Sequence, residues 1–431
     1  MESVRYGRLM WGTSCLGQGR VPQLSRAAGK LGLAAASIGL TLLALEGLVR
    51  LLAPQGRGKE ERTIALYTEH DQLLGWRKRP GARATLHRRD YTVDVVINSR
   101  GLRDVERTYE SPAFRILALG DSFVEGYSVP LEATVTRVLE ASLSRPDCPV
   151  EALNGGSAAW STDQELLFYR SDGARYGSKI VALFFYFNDV LFNDYDHYFG
   201  NPKPRFVVGS DGSLTLTGVP VPAAPSSGGA EPPSEPEPEG GSALLTFTAN
   251  RLRIGVPRVY NRLAALGLWK PVRPVSPHDQ FLVYKRQPPP KIRAAWGTTA
   301  AILRQLAREV REQGARLVVV YVPSRMEVSD RDWELTQLKF GIEPNRWDRG
   351  AVIASLRTAV ADDAPVLDLT PALRRAEGFF QGPYYVDDGH WNPRGHRVAA
   401  AELESFLRRE GWLPPCTLAL RQTAAQPSSF R

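Results

Sequence analysis

The sequence predicts an α/β protein built on a doubly wound parallel sheet, and three observations predict it. Short apolar runs recur at Phe114–Leu119, Val150–Leu153, Ile180–Phe185, Leu317–Val322 and Val366–Leu369, with little of the alternation of a half-solvated strand. Helical spacing fills the intervals between them. Three of the runs end on small or polar residues (Gly120-Asp121-Ser122, Asn154-Gly155-Gly156, Asn188-Asp189), where a parallel sheet delivers its chemistry beyond the carboxyl ends of its strands.

The chain has 431 residues, 43% hydrophobic, enough for one large core with smaller additions. Its net charge of +8 does not read as a nucleic-acid footprint: up to Ala53 six basic residues face two acidic ones, around an apolar segment, so half the excess sits there. No zinc-finger, RNA-recognition or helix-turn-helix signature appears. Nor does a phosphate-loop or Gly-x-Gly-x-x-Gly dinucleotide motif, and no cofactor is expected.

Residues 1–30 form a basic N-terminal segment. Residues 31–53 read as a transmembrane signal-anchor, since the apolar run is close to the roughly 20 residues that span a bilayer. Glu46 lies near its end and can pair with Arg50 at i+4. No small-residue cleavage site follows, so the segment is read as uncleaved. Similar Lys and Arg counts on both flanks leave the orientation open on charge alone.

Residues 54–111 form a polar connector with a small β-extension, Tyr91–Ile97, closed by the turn Asn98-Ser99-Arg100-Gly101. The main domain covers 112–415, with helices expected at Leu131–Leu143, Asp163–Tyr169, Ile292–Gln313, Trp347–Ala361 and Arg394–Arg409. An insertion at about 200–291 interrupts it. It opens with a hairpin, Phe206–Leu216, turning at Asp211-Gly212. It continues through a Pro/Glu/Gly-rich stretch, 219–242, that should be disordered, then a helical Ala243–Trp269. Residues 416–431 read as a flexible tail. Three cysteines show no metal-ligand spacing. Cys148 and Cys416 can pair in an oxidising compartment, but two unpaired buried thiols are the reading preferred here.

Ser122 follows a buried strand and precedes a helix N-terminus, where backbone N–H groups can meet an anion. It needs a base and a group to orient that base. His390, in Asp387-Asp388-Gly389-His390-Trp391-Asn392-Pro393, lies just before the last helix, and Asp387 is one turn away. His396 falls inside the helix and reads as structural. A metal site from Asp387, Asp388, His390 and His396 lacks a fitting partner set.

Gly120-Asp121-Ser122, Asn154 with its small-residue run, Asn188-Asp189 and Asp387-x-x-His390 resemble, in order and context, the blocks of the SGNH/GDSL hydrolases. The C-terminal Asp-Gly-His-Trp-Asn-Pro-Arg-Gly-His stretch is similar to membrane-anchored bacterial members. The resemblance covers about residues 90–410, apart from the polar insert. It implies a flavodoxin-like three-layer fold, Ser122 as nucleophile, His390 as base and Asp387 as orienting acid. It also implies an oxyanion hole from the Ser122 N–H, a backbone N–H of Ala159 or Gly156, and the Asn188 side chain. Two positions depart from the family pattern: Ala159 and Tyr186 stand where it has glycine.

The expected function is acyl-ester hydrolysis (an esterase or deacetylase) through an acyl-enzyme. The expected substrates are an envelope glycan, a lipid or a small-molecule ester. An O-acyltransferase and a non-catalytic scaffold are the alternatives. The expected location is the bacterial cell membrane, single-pass, with the catalytic domain extracytoplasmic and envelope-biosynthesis proteins as possible partners.

Overall fold

A computed structural model describes residues 23–52, 66–198, 200–223, 242–256, 276–378 and 382–418, with scattered positions between 259 and 267. The extreme N-terminal segment, the start of the connector, most of the Pro/Glu-rich stretch and the end of the tail lie outside the described residues. The chain divides into two units.

The smaller unit holds the N-terminal helix Gln23–Leu52. Its stretch Lys30–Leu51 is 22 residues long, with a mean hydropathy of 1.8, long and apolar enough to cross a bilayer. Glu46 accepts from Arg50 Nε at 2.7 Å, as the i+4 spacing predicts, and also from Ser242 Oγ at 2.6 Å.

The larger unit is built on a five-stranded parallel sheet. Its strands are β1 (Phe114–Gly120), β2 (Val150–Asn154), β3 (Ile180–Tyr186), β4 (Arg316–Val322) and β5 (Val366–Asp368). Their spatial order is β2-β1-β3-β4-β5, all parallel, the flavodoxin-like order in which the winding reverses beside β1 and β3. Ile180 and Ala182 of β3 point to one core, Val181, Leu183 and Phe185 to the other. Both faces are therefore covered, which is why the strands read as continuous apolar runs.

One face carries helices α2 (Thr162–Ser171), α3 (Pro290–Glu312) and α4 (Ala351–Val360). The other carries α1 (Val135–Leu143) and α5 (Pro393–Arg409). In α3 the buried residues Ile292, Ala295, Thr299, Ile302, Leu306 and Val310 trace a single stripe at three- and four-residue spacing.

Differences from the predicted elements have local causes. The helix expected from Leu131 breaks at Thr134, whose extended backbone ends a 3₁₀ turn and starts α1 as its N-cap. The helix expected from Trp347 starts at Ala351, because the Asp348 side chain accepts from Gly350 N–H at 2.8 Å and Trp347 bridges to Lys285. The helix Asp330–Phe340 and a second N-terminal hairpin, Thr68–Asp71 with Gly75–Lys78, were not predicted. The expected β-extension is present as Arg83–His87 paired antiparallel with Thr92–Val96. The insertion's hairpin is present as Arg205–Val208 with Leu214–Thr217, and its helix as Ala243–Gly255.

The reading of unpaired thiols is corrected: Cys148 and Cys416 form a disulfide with Cα atoms 5.8 Å apart. This ties the first turn of the expected tail, Pro415–Leu418, to the loop before β2. No local pattern foretells a pairing across 268 residues.

Candidate active site

Ser122 opens a one-turn helix, Ser122–Glu125, at the carboxyl end of β1. Asp121 caps it, accepting from Phe123 N–H at 2.9 Å, and Gly126 ends it in the left-handed conformation at φ 67°. Gly120 is required by close packing: a Cβ there would lie 2.5 Å from Val124 Cγ2.

The turn is anchored from beneath. Asn154, at the end of β2, donates to Val124 O at 2.9 Å. Glu125, fully buried, accepts from Tyr67 Oη and Ala158 N–H, both at 2.6 Å. Arg103 donates to the carbonyls of Glu125, Gly126 and Val129. Tyr67 and Arg103 both belong to the N-terminal extension, which thus braces the Ser122 helix.

His390 sits 268 residues downstream, with Nε2 2.8 Å from Ser122 Oγ. It is carried by a tight loop closed by the Tyr384–Trp391 bridge and by Tyr385 N–H donating to His390 O at 2.8 Å. The ring packs on Phe123 and Tyr127 at centroid distances of 5.0 and 5.2 Å.

The carboxylate on the His390 ring is that of Asp388, which corrects the expectation of Asp387. Asp388 Oδ1 lies 2.5 Å from His390 Nδ1 and also accepts the His390 backbone N–H at 3.1 Å. Gly389, at φ 82°, makes the bend that brings an i−2 carboxylate over the imidazole. Asp387 turns the other way, with Oδ2 3.6 Å from Arg89.

The electrostatics follow the geometry. Burial raises the Asp388 carboxyl, but the hydrogen bond and charge of His390, then the Tyr91 hydroxyl, outweigh it and hold the group at about 2. Burial lowers His390, and its hydrogen bond and charge interaction with Asp388, with smaller help from Asp121 and Glu125, bring it above the ordinary 6.5. Burial pushes Asp121 up to about 6, against the opposing hydrogen bond from Phe123.

A cleft of about 530 Å³ opens from Ser122 and His390 and is lined by Ala159 and Asn188. It runs on past Tyr186, Phe187 and Phe281 to Asp332, Thr336 and Lys339 of the helix Asp330–Phe340. Ala159 adopts φ 67°, a left-handed conformation rare for a residue with a Cβ. Among the described residues, the N–H groups of Ser122 and Ala159 donate to no other protein group. Asn188 Oδ1 is buried and likewise unpartnered among them.

Gly156 does not belong to this set. Its N–H donates to Asn154 Oδ1 at 3.2 Å and its carbonyl accepts from Lys78, so both backbone groups are committed away from the cleft. His396 is structural, as expected: it is buried, its Nδ1 accepts from Val135 N–H at 3.2 Å, and burial takes it down to about 3.

The sequence reading missed the role of Asp388 and the parts played by Tyr91 and Arg325. Tyr91 Oη donates to Asp388 Oδ2 at 2.8 Å. Arg325 donates to the carbonyls of Tyr385 and Val386 and pairs with Asp332. Only Asp388 carried a usable signal, its position two residues before His390.

A serine hydroxyl on an imidazole held by a carboxylate, in a cleft also lined by Ala159 and Asn188, can carry a nucleophilic attack on a carbonyl. A family model described as "SGNH hydrolase-like domain, acetyltransferase AlgX" matches residues 280–429. No curated protein matches the chain. Among solved structures, it is similar to a catalytic mutant of Axe2, an acetylxylan esterase from Geobacillus stearothermophilus, at 12% identity over 72% of this chain and 100% of that one, TM-score 0.35. It is also similar to a putative lipolytic protein of the G-D-S-L family from Desulfitobacterium hafniense, at 12% identity over 68% and 98%, TM-score 0.31. Likeness at that level says nothing of substrate. The four sequence blocks meet at one sheet edge, and the C-terminal part of the chain, residues 280–429, matches that SGNH hydrolase-like family model.

Proposed function

We propose that the chain is a serine acyl-ester hydrolase, with Ser122 as nucleophile, His390 as base and Asp388 as the acid that orients it. The observation that carries this is the continuous hydrogen-bonded path from Ser122 Oγ through His390 to Asp388, at 2.8 and 2.5 Å. His390 Nε2 takes the serine proton as Oγ attacks the ester carbonyl. The oxyanion meets the N–H groups of Ser122 and Ala159 and the Asn188 amide, and a donor so placed is worth about 3 kcal/mol in the transition state. His390 then protonates the leaving alcohol, and water, deprotonated by the same imidazole, releases the acyl group.

The substrate proposed is an ester on an envelope glycan or lipid, reached from a single-pass membrane anchor with the catalytic unit outside the cytoplasm. The apolar helix Gln23–Leu52 supports the anchor. The Cys148–Cys416 disulfide supports an oxidising compartment. A second reading, acyl transfer to a sugar hydroxyl, is favoured by the extension of the cleft along Asp332, Thr336 and Lys339, which leaves room for an acceptor beside the acyl-enzyme.

The test is p-nitrophenyl acetate hydrolysis by the full chain in detergent, beside Ser122→Ala, with fluorophosphonate labelling as a second readout. Hydrolysis and labelling lost together in the variant support the assignment. Folded wild-type protein with neither signal overturns it. Acyl transfer to added oligosaccharide in competition with water separates the two readings.

A further inference from the structure

The mechanism above uses nothing from the N-terminal extension, yet three of its side chains, Arg89, Asp90 and Tyr91, reach the Asp388 loop. The tip of the hairpin Arg83–His87/Thr92–Val96 carries Asp90 and Tyr91. Tyr91 Oη donates to Asp388 Oδ2 at 2.8 Å, the oxygen that His390 does not use. Asp90 Oδ2 accepts the backbone N–H groups of Asp387 at 2.7 Å and Asp388 at 3.0 Å. The Tyr91 ring also packs on Tyr385 at 5.0 Å, and Tyr385 Oη donates to Ser128 O at 3.1 Å.

We infer that Tyr91 and Asp90 are positioning residues of the active site: the extension fixes the direction of the Asp388 carboxylate, and through it the His390 ring. This rests on the catalytic reading of Ser122, His390 and Asp388. A carboxylate on a loop, bound through one oxygen only, is free to rotate about its last torsion and lose the Nδ1 geometry. Tyr91 takes the second oxygen and stops that rotation, while Asp90 ties down two consecutive N–H groups of the loop that carries it. The groups facing Asp388 include His390, Tyr91, Tyr127 and Tyr385, with Asp90 on its backbone. Burial and the Asp388 charge raise the Tyr91 phenol far above its ordinary value, so it stays a donor throughout the working pH range. The acid of the site is thus positioned by a residue 297 positions upstream, on a hairpin outside the five-stranded sheet.

A double-mutant cycle on the full chain tests this, with p-nitrophenyl acetate hydrolysis as the readout. Tyr91→Phe, which keeps the ring and deletes one hydroxyl, should lower kcat about 10-fold with KM nearly unchanged. In an Asp388→Ala background the same substitution should cost nothing further, because its route to His390 is gone. Asp90→Ala, at a partly exposed position, supplies an independent second variant and should show the same coupling. Equal fold-losses in both backgrounds, or no loss from either variant in an active wild type, would overturn the positioning role alone. An inactive wild type removes the catalytic reading, and this role with it.

Discussion

Replacing Asp388 and Asp387 separately gives the sharpest prediction, because the two are neighbours and only one faces the imidazole. The Asp388 carboxyl is held at about 2 against its ordinary 3.8, although burial alone would raise it. That difference corresponds to about 2.5 kcal/mol in favour of the ionised form. The side chain is only 14% exposed, so solvent screens little of it. If the same interaction stabilises the imidazolium formed as Ser122 attacks, Asp388→Ala should lower kcat on the order of 10²-fold. Asp388→Asn should cost more, roughly 10³–10⁴-fold, since its amide can donate to Nδ1 and favour the tautomer whose Nε2 carries the proton. Asp387→Asn, whose carboxylate faces Arg89, should stay within about threefold of wild type. Steady-state hydrolysis of p-nitrophenyl acetate, with fluorophosphonate labelling rates as a check, decides it. Asp387→Asn falling as far as Asp388→Ala, or Asp388→Ala within a few-fold of wild type, refutes the reasoning.

Other outcomes follow from the same geometry. His390 is raised above 6.5 and must be neutral to accept a proton, so kcat/KM should fall as pH drops through a value above 6.5. Asp121 is raised from 3.8 to about 6, so its destabilising effect is absent below pH 3.8 and complete above about 6. Asp121→Asn should therefore add about 3 kcal/mol of stability at pH 7.5, seen as a higher Tm, and change it little near pH 4. Ala159→Gly should relieve the cost of φ 67° and add about 0.5–1 kcal/mol in urea titration, with activity kept. The denatured, unreduced chain should show one thiol of its three reacting with Ellman's reagent, and Cys148→Ser with Cys416→Ser should lower stability by about 3–5 kcal/mol.

How much was legible in the sequence depended on whether the signal was local. Strands β1 to β4 were plain, because a strand buried on both faces has no polar positions to blur its limits. Ser122 and His390 were legible from context, each just before a helix at a strand or loop end. Asp387 is the acid that a three-residue step to His390 suggests, because such a step fits one turn. The bend at Gly389 decides it instead, and φ at one glycine is not written in spacing. Gly156 is the alternative oxyanion donor on sequence grounds, since a positive φ at Ala159 would strain an alanine. What excludes it is the Asn154 side chain two residues earlier, a contact that only folding reveals. The Tyr91–Asp388 bond and the disulfide share that character. They join segments nearly 300 residues apart, and no periodicity carries such information.

The Ser122–His390 contact and the Cys148–Cys416 bond span the same distance along the chain, 268 residues each. During synthesis at about 5–20 residues per second, the second member of each pair emerges roughly 13–54 s after the first. Ser122 is therefore made long before His390, so on the proposed mechanism a chain truncated ahead of His390 should not react with fluorophosphonate. Cys148 waits as a lone thiol for nearly the same interval, exposed to mispairing until α5 and the turn behind it arrive. Completion of the site and of the covalent tie thus come late and almost together. Oxidation of this one pair should then serve as a clock for maturation, readable in pulse-chase samples as the moment at which fluorophosphonate reactivity appears.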